Sequence, residues 1–135
     1  MKKLFRESIR QKSRKKILQL SNPWVTDNTD NFYVKTDTVR LINPKKQYQL
    51  DFCQEVNWSF FRSDSFYMVE SQSCKEPTSA KVSKPSDRHE VKIKKTAAGL
   101  TLTLRNIYGI ADRFLVISIE QNEQFDAILL KRLRY

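Results

Sequence analysis

Between Phe32 and Tyr135 the chain holds seven short stretches that read as β-strands, separated by turn signals. The clearest runs from Leu50 to Phe60. Leu50, Phe52, Val56, Trp58 and Phe60 share one parity, and Asp51, Cys53, Glu55, Asn57 and Ser59 share the other. Successive side chains of a strand point to opposite faces, so this pattern predicts a half-buried strand. Ahead of it, residues 32–42 (FYVKTDTVRLI) are rich in aromatic and β-branched types and stop at an Asn43-Pro44-Lys45-Lys46 turn, which predicts the first strand. Arg62-Ser63-Asp64-Ser65 turns the chain into FYMVESQSC, and residues 75–87 read as a solvated loop. A hairpin follows: His89–Lys95, a Thr96-Ala97-Ala98-Gly99 turn, then Leu100, Leu102 and Leu104 alternating with Thr101, Thr103 and Arg105. A turn over 106–109 leads to a second hairpin, ADRFLVISIE and FDAILLKRLRY, joined through Gln121-Asn122-Glu123-Gln124.

Ahead of the strands, Lys2 to about Leu20 lacks Gly and Pro, and Phe5, Ile9, Ile17 and Leu20 recur at helical intervals. This predicts a basic N-terminal helix over 1–20, its C-terminal half docked, ended by Ser21-Asn22-Pro23. The expected fold is mainly β: a single antiparallel domain over 31–135, a meander of about seven strands closing into a calycin-like barrel or curved sheet, with the helix over an open end. An immunoglobulin-like sandwich is the competing architecture.

The charge is unevenly placed. Residues 1–16 carry eight of the 25 Lys and Arg and one of the 15 Asp and Glu, so +7 of the net +10 lies in the arm and +3 in the body. Lys2, Lys3, Arg6, Arg10, Lys12, Arg14, Lys15 and Lys16 are the residues for a polyanion contact, with nucleic acid or an anionic membrane, through counterion release. The plain alternative is a solvated basic helix. Two cysteines, Cys53 and Cys74, and one histidine give no zinc-type spacing, so no metal site is expected. Without a signal-peptide core or a membrane-spanning run, the expectation is an intracellular protein, cytoplasmic or plastid, with reduced thiols. His89, between Arg88 and Glu90, reads as an exposed side chain. Two glycines rule out phosphate-binding Gly-rich loops, so no conventional catalytic constellation is seen.

Two body features point to a ligand. Phe52, Trp58 and Phe60 line one strand face, where aromatic rings either fill a small barrel or wall a cavity. Asp112 and Arg113 are adjacent on a strand, so without a bulge only one of them faces the interior, where it would meet a charged ligand group. A surface pair at the strand start is the alternative.

Residues 99–118, GLTLTLRNIYGIADRFLVIS, resemble the region of S-type phycobiliprotein lyases in which a leucine-threonine strand leads into an acidic residue, Arg, an apolar-aromatic pair and Ser. The matching residues are Asp112, Arg113, Phe114 and Ser118. The order of elements is similar too: an N-terminal helix, a lipocalin-like barrel and a final strand with basic residues, here Lys131 to Arg134. The chain departs from that family in lacking a Trp and Gly in the helix and an arginine-rich stretch after Ser118. The resemblance implies a protein that binds a linear tetrapyrrole (bilin) and delivers it to a cysteine of a phycobiliprotein subunit. Asp112 would then meet the pyrrole nitrogens and Arg113 a propionate.

Three function classes follow: a barrel binding an acidic, apolar small molecule, with the bilin lyase its sharpest form; an interaction module anchored by its basic arm; and a structural or assembly accessory protein. The last strand, ending at Tyr135, is also an edge on which a homodimer would pair.

Overall fold

Strand pairing runs around the molecule until the sheet meets itself. The computed structural model describes residues 1–8, 23–45, 52–72, 79–80 and 87–133. Within them lie helix α1 (Lys2–Ser8), β1 (Trp24–Asp27), the single helical turn α2 (Phe32–Lys35), β2 (Thr38–Pro44), β3 (Gln54–Arg62), β4 (Ser65–Gln72), β5 (Ser79–Ala80), β6 (Arg88–Thr96), β7 (Gly99–Asn106), β8 (Gly109–Gln121) and β9 (Phe125–Arg132). The neighbours run β3-β1-β2-β9-β8-β7-β6-β4, and pairing of β3 with β4 closes an eight-stranded antiparallel barrel; β5 adds to the far end of β4. The mainly β barrel with an N-terminal helix read from the sequence is the fold observed.

Closure needs local bending, and the register slips at three places: Phe60/Arg62, Leu104/Arg105 and Val116/Ser118. Each slip adds twist where the sheet must curve. The chain's two glycines, Gly99 and Gly109, follow two-residue turns and hold φ of 128° and 108°, a region costly for any residue with a Cβ.

Phe32–Lys35 is a helical turn where a strand was expected, and β2 starts at Thr38. Local hydrogen bonds override the β-forming side chains. Asp27 Oδ1 accepts the Thr29 N–H at 3.0 Å and Asn28 Oδ1 accepts the Tyr33 N–H at 3.2 Å. Asp30 and Asn31 then take left-handed φ of 54° and 61°, which their short polar side chains tolerate. Two strands were missed: the two-residue β5, which pairs with β4 inside the expected 75–87 loop, and β1, whose four residues are too few to show alternation, although Trp24 and Thr26 both turn inward opposite Trp58 and Val56.

Expectations for the helix, the terminus, the histidine and the thiols are also revised. α1 docks through Leu4 and Phe5, while residues 9–20 of the expected helix lie outside the described residues. β9 is paired on both sides, by β2 and β8, so its backbone offers no edge to a second copy. His89 is buried, 6% exposed, stacked on Phe66 at 5.2 Å, and its Nδ1 lies 2.9 Å from the Asp87 carbonyl. Because a carbonyl only accepts, Nδ1 carries the hydrogen. Cys53 is disulfide-bonded, and the chain has one other cysteine, Cys74, which lies outside the described residues. The disulfide replaces the reduced thiol expected for Cys53. Among the described residues no helix is long and apolar enough to cross a membrane.

The core fills one end of the barrel with rings. Phe5 of α1 stacks on Phe60 with centroids 4.2 Å apart and meets Trp24 edge-on at 5.9 Å; Trp58 stacks on Phe66 at 4.5 Å. Each such ring buries roughly 150–250 Å² and gains about 0.5–1.5 kcal/mol from ring–ring geometry beyond its area. α2 links the end of β1 to the start of β2, so it closes the opposite end.

Candidate functional site

Cross-strand register decides which side chains face inward. Ile93, Leu102, Phe114 and Arg132 lie opposite one another on β6 to β9, and so do Val91, Leu104 and Asp112 on β6 to β8. Leu102, Leu104 and Phe114 are core residues, so Asp112 and Arg132 share the inner face with them. The barrel interior therefore holds an acid and a base side by side at its α2 end.

Arg132 is 5% exposed in its side chain and Asp112 23%. Arg132 Nε donates to Asp112 Oδ2 at 3.0 Å, and Nη1 donates to the carbonyls of Tyr33 and Thr36 at 2.7 and 2.8 Å. The guanidinium carbon also lies 5.0 Å from the Tyr33 ring centre and 5.2 Å from that of Phe114. Arg132 thereby ties α2 to the barrel, and its planar fork suits this better than an ammonium would.

The accounting does not close. Arg132 Nη2, Tyr33 Oη and Trp58 Nε1 are buried and have no hydrogen-bond partner among the described residues. Trp58 and Arg132 both point hydrogen-bond donors at the Tyr33 phenol, which favours its ionised form, but the contacts are too long or too bent to count as full hydrogen bonds. Buried polar groups are nearly always paired, so this cluster has hydrogen-bonding capacity that the described residues do not use fully. Trp24 Nε1, on the α1 side, is also unpaired.

Burial raises the Tyr33 phenol far above its usual range; the Asp112 charge adds to this and Arg132 opposes it. A folded-state value above the unfolded one means that stability is intact below about pH 10 and is lost as pH rises through the folded value. An alkaline titration followed at the tyrosinate absorbance should therefore leave Tyr33 silent until the barrel unfolds, so that native chain and Tyr33→Phe give the same signal while folded. Ionisation of all five tyrosines in one step near pH 10 would contradict this placement.

The residues singled out from the sequence are dispersed. Trp58 and Phe60 face inward and are buried. Phe52 packs with Ile42, Phe125 and Ala127 on the outer side of β2 and β9. Asp112 faces inward onto Arg132, while Arg113 lies on the outer wall beside Thr103 and Leu115. Of the basic arm, Lys3 and Arg6 are exposed on α1, and Arg10, Lys12, Arg14, Lys15 and Lys16 lie outside the described residues. Arg132 and Tyr33 were missed. Arg132 shares parity with Ile128 and Leu130, which was the available signal; Tyr33 had none, because its turn was read as a strand.

No protein-family model, curated protein or solved structure matches the chain.

Proposed function

We propose that this chain is a small-molecule-binding β-barrel whose ligand is largely apolar and carries an acidic or acceptor group. The observation that supports this reading is the convergence of unpaired donors on Arg132, Tyr33 and Trp58 beside Asp112, inside an otherwise aromatic barrel. Apolar walls with a few convergent polar groups are what ligand sites in barrels offer. A linear tetrapyrrole is the sharpest form of the proposal. Its pyrrole N–H groups need an acceptor such as Asp112, and its propionates need donors such as Arg132 Nη2 and Tyr33 Oη. On this reading the protein is a bilin chaperone or lyase that serves a phycobiliprotein subunit. Arg113, on the outer wall, has no part in holding the ligand. Phe66 and Phe114 lie against Trp58, so uptake requires rings to part and association is slower than for an open cup.

The test is a titration of the full chain with a linear tetrapyrrole, followed by its absorbance and by quenching of Trp24 and Trp58. A saturable change at micromolar concentration, weakened about tenfold in Tyr33→Phe, is expected from loss of one hydrogen bond to a charged group. No saturable change for the native chain would overturn the proposal.

The basic arm supports a second reading, as a contact for nucleic acid or an anionic membrane. Lys3 and Arg6 face solvent while Leu4 and Phe5 dock the helix, so α1 can be held by the barrel and present charge at once.

A further inference from the structure

The net charge of the body is small, but the fold sorts it. Along β6 the inner face takes His89, Val91 and Ile93, which leaves Arg88, Lys92 and Lys94 on the outer wall with Glu90. The neighbouring strands add Arg105 of β7, Arg113 of β8 and Arg62 of β3 to the same side of the barrel. Among the described residues no ion pair ties Arg62, Arg88, Lys92, Lys94 or Arg105. Beside them, Phe61 and Tyr67 lie 4.9 Å apart, and Arg62 and Arg88 sit over the Phe61 ring at 5.9 and 5.4 Å. Tyr67 is 37% exposed and pairs directly with Arg88 across β4 and β6. Towards the other end of β6, about 20 Å along the strand from this platform, a shallow groove of about 500 Å³ runs between Lys94, Thr101, Thr103 and Arg113.

We propose that this outer wall, β3-β4-β6-β7-β8, binds single-stranded nucleic acid. The cations supply attraction to phosphate, and the exposed Tyr67 ring beside the arginine-clamped Phe61 supplies a stacking platform for bases, the pairing of features by which single strands are held without sequence reading. Threonine hydroxyls in the groove add neutral donors for phosphate or sugar oxygens. Ile107 and Tyr108 project from the β7–β8 turn beside Arg105, 62% and 82% exposed, so anionic vesicles are the competing ligand in the test; the ring pair at Phe61 and Tyr67, held flat under arginines, is what favours stacked bases. The inference uses neither the barrel interior nor the arm, so it stands apart from the ligand reading.

Fluorescence anisotropy of a labelled 20-nucleotide oligo-dT or oligo-U with the full chain tests it. Four phosphate contacts would make the affinity fall roughly 50-fold between 50 and 200 mM salt. Lys92→Glu/Lys94→Glu is expected to weaken binding at least tenfold, and Tyr67→Ala about tenfold through loss of one stacked base, with melting temperatures near that of the native chain because all three side chains face solvent. Three results would each overturn the proposal: no binding at 50 mM salt, binding that both variants retain in full, or anionic vesicles bound as tightly with Tyr67→Ala without effect. The second would assign any polyanion contact to the arm.

Discussion

Arg132→Leu is expected to cost about 3–5 kcal/mol, the loss that follows when one member of a buried charge pair is removed and the other is left uncompensated. Asp112 would lose its Arg132 partner on the inner face of β8, and the carbonyls of Tyr33 and Thr36 would lose their donor. The change strikes the joint where α2 meets the last strand. Against a total stability of about 5–15 kcal/mol for a domain, it brings the barrel close to unfolding. Urea denaturation should show the midpoint falling with the slope unchanged. A loss below about 1 kcal/mol would mean that the pair behaves as a surface ion pair.

Trp58→Ala is the second large effect, also about 3–5 kcal/mol. Trp58 is fully buried, lies opposite Trp24 on β1 and Met68 on β4, stacks on Phe66, and lies 6.0 Å from Phe114. Its removal leaves a cavity walled by rings that cannot all collapse into it. Trp58→Phe keeps most of the volume and loses only an N–H that contacts the Tyr33 phenol without full hydrogen-bond geometry, so it should cost much less, and the contrast between the two variants in thermal or urea unfolding separates packing from polarity. Equal losses for the two would contradict the packing described.

What the sequence made legible follows from where physical signals are local. Alternation in β3, β6 and β7 and the turns at Gly99 and Gly109 are encoded within a few residues, so the strands, both hairpins and the barrel class could be read directly. α2 could not: Phe32, Tyr33 and Val34 favour a strand, and only Asn28 bonded to the Tyr33 N–H, with the left-handed Asp30-Asn31 step, shows why the chain turns there. β1 was too short to carry a period. The candidate site was half legible. Asp112 stood out as a charged residue beside an apolar run, but its partner is 20 residues away on another strand and its lid is a turn about 80 residues earlier. Arg113, its neighbour in sequence, faces the other way. The basic wall was hidden by arithmetic: a body charge of +3 looks balanced until the strands gather Arg62, Arg88, Lys92, Lys94, Arg105 and Arg113 on one side.

The most direct test of the central claim is to follow the two indole N–H resonances, of Trp24 and Trp58, by ¹H–¹⁵N NMR while a linear tetrapyrrole is added, with assignment from Trp58→Phe. The account predicts that the Trp58 resonance moves downfield as its Nε1–H gains an acceptor, with backbone amides around Tyr33, Asp112 and Arg132 shifting alongside it. Shifts confined to the outer wall or to α1, with the Trp58 indole unmoved at saturation, would contradict a ligand site inside the barrel.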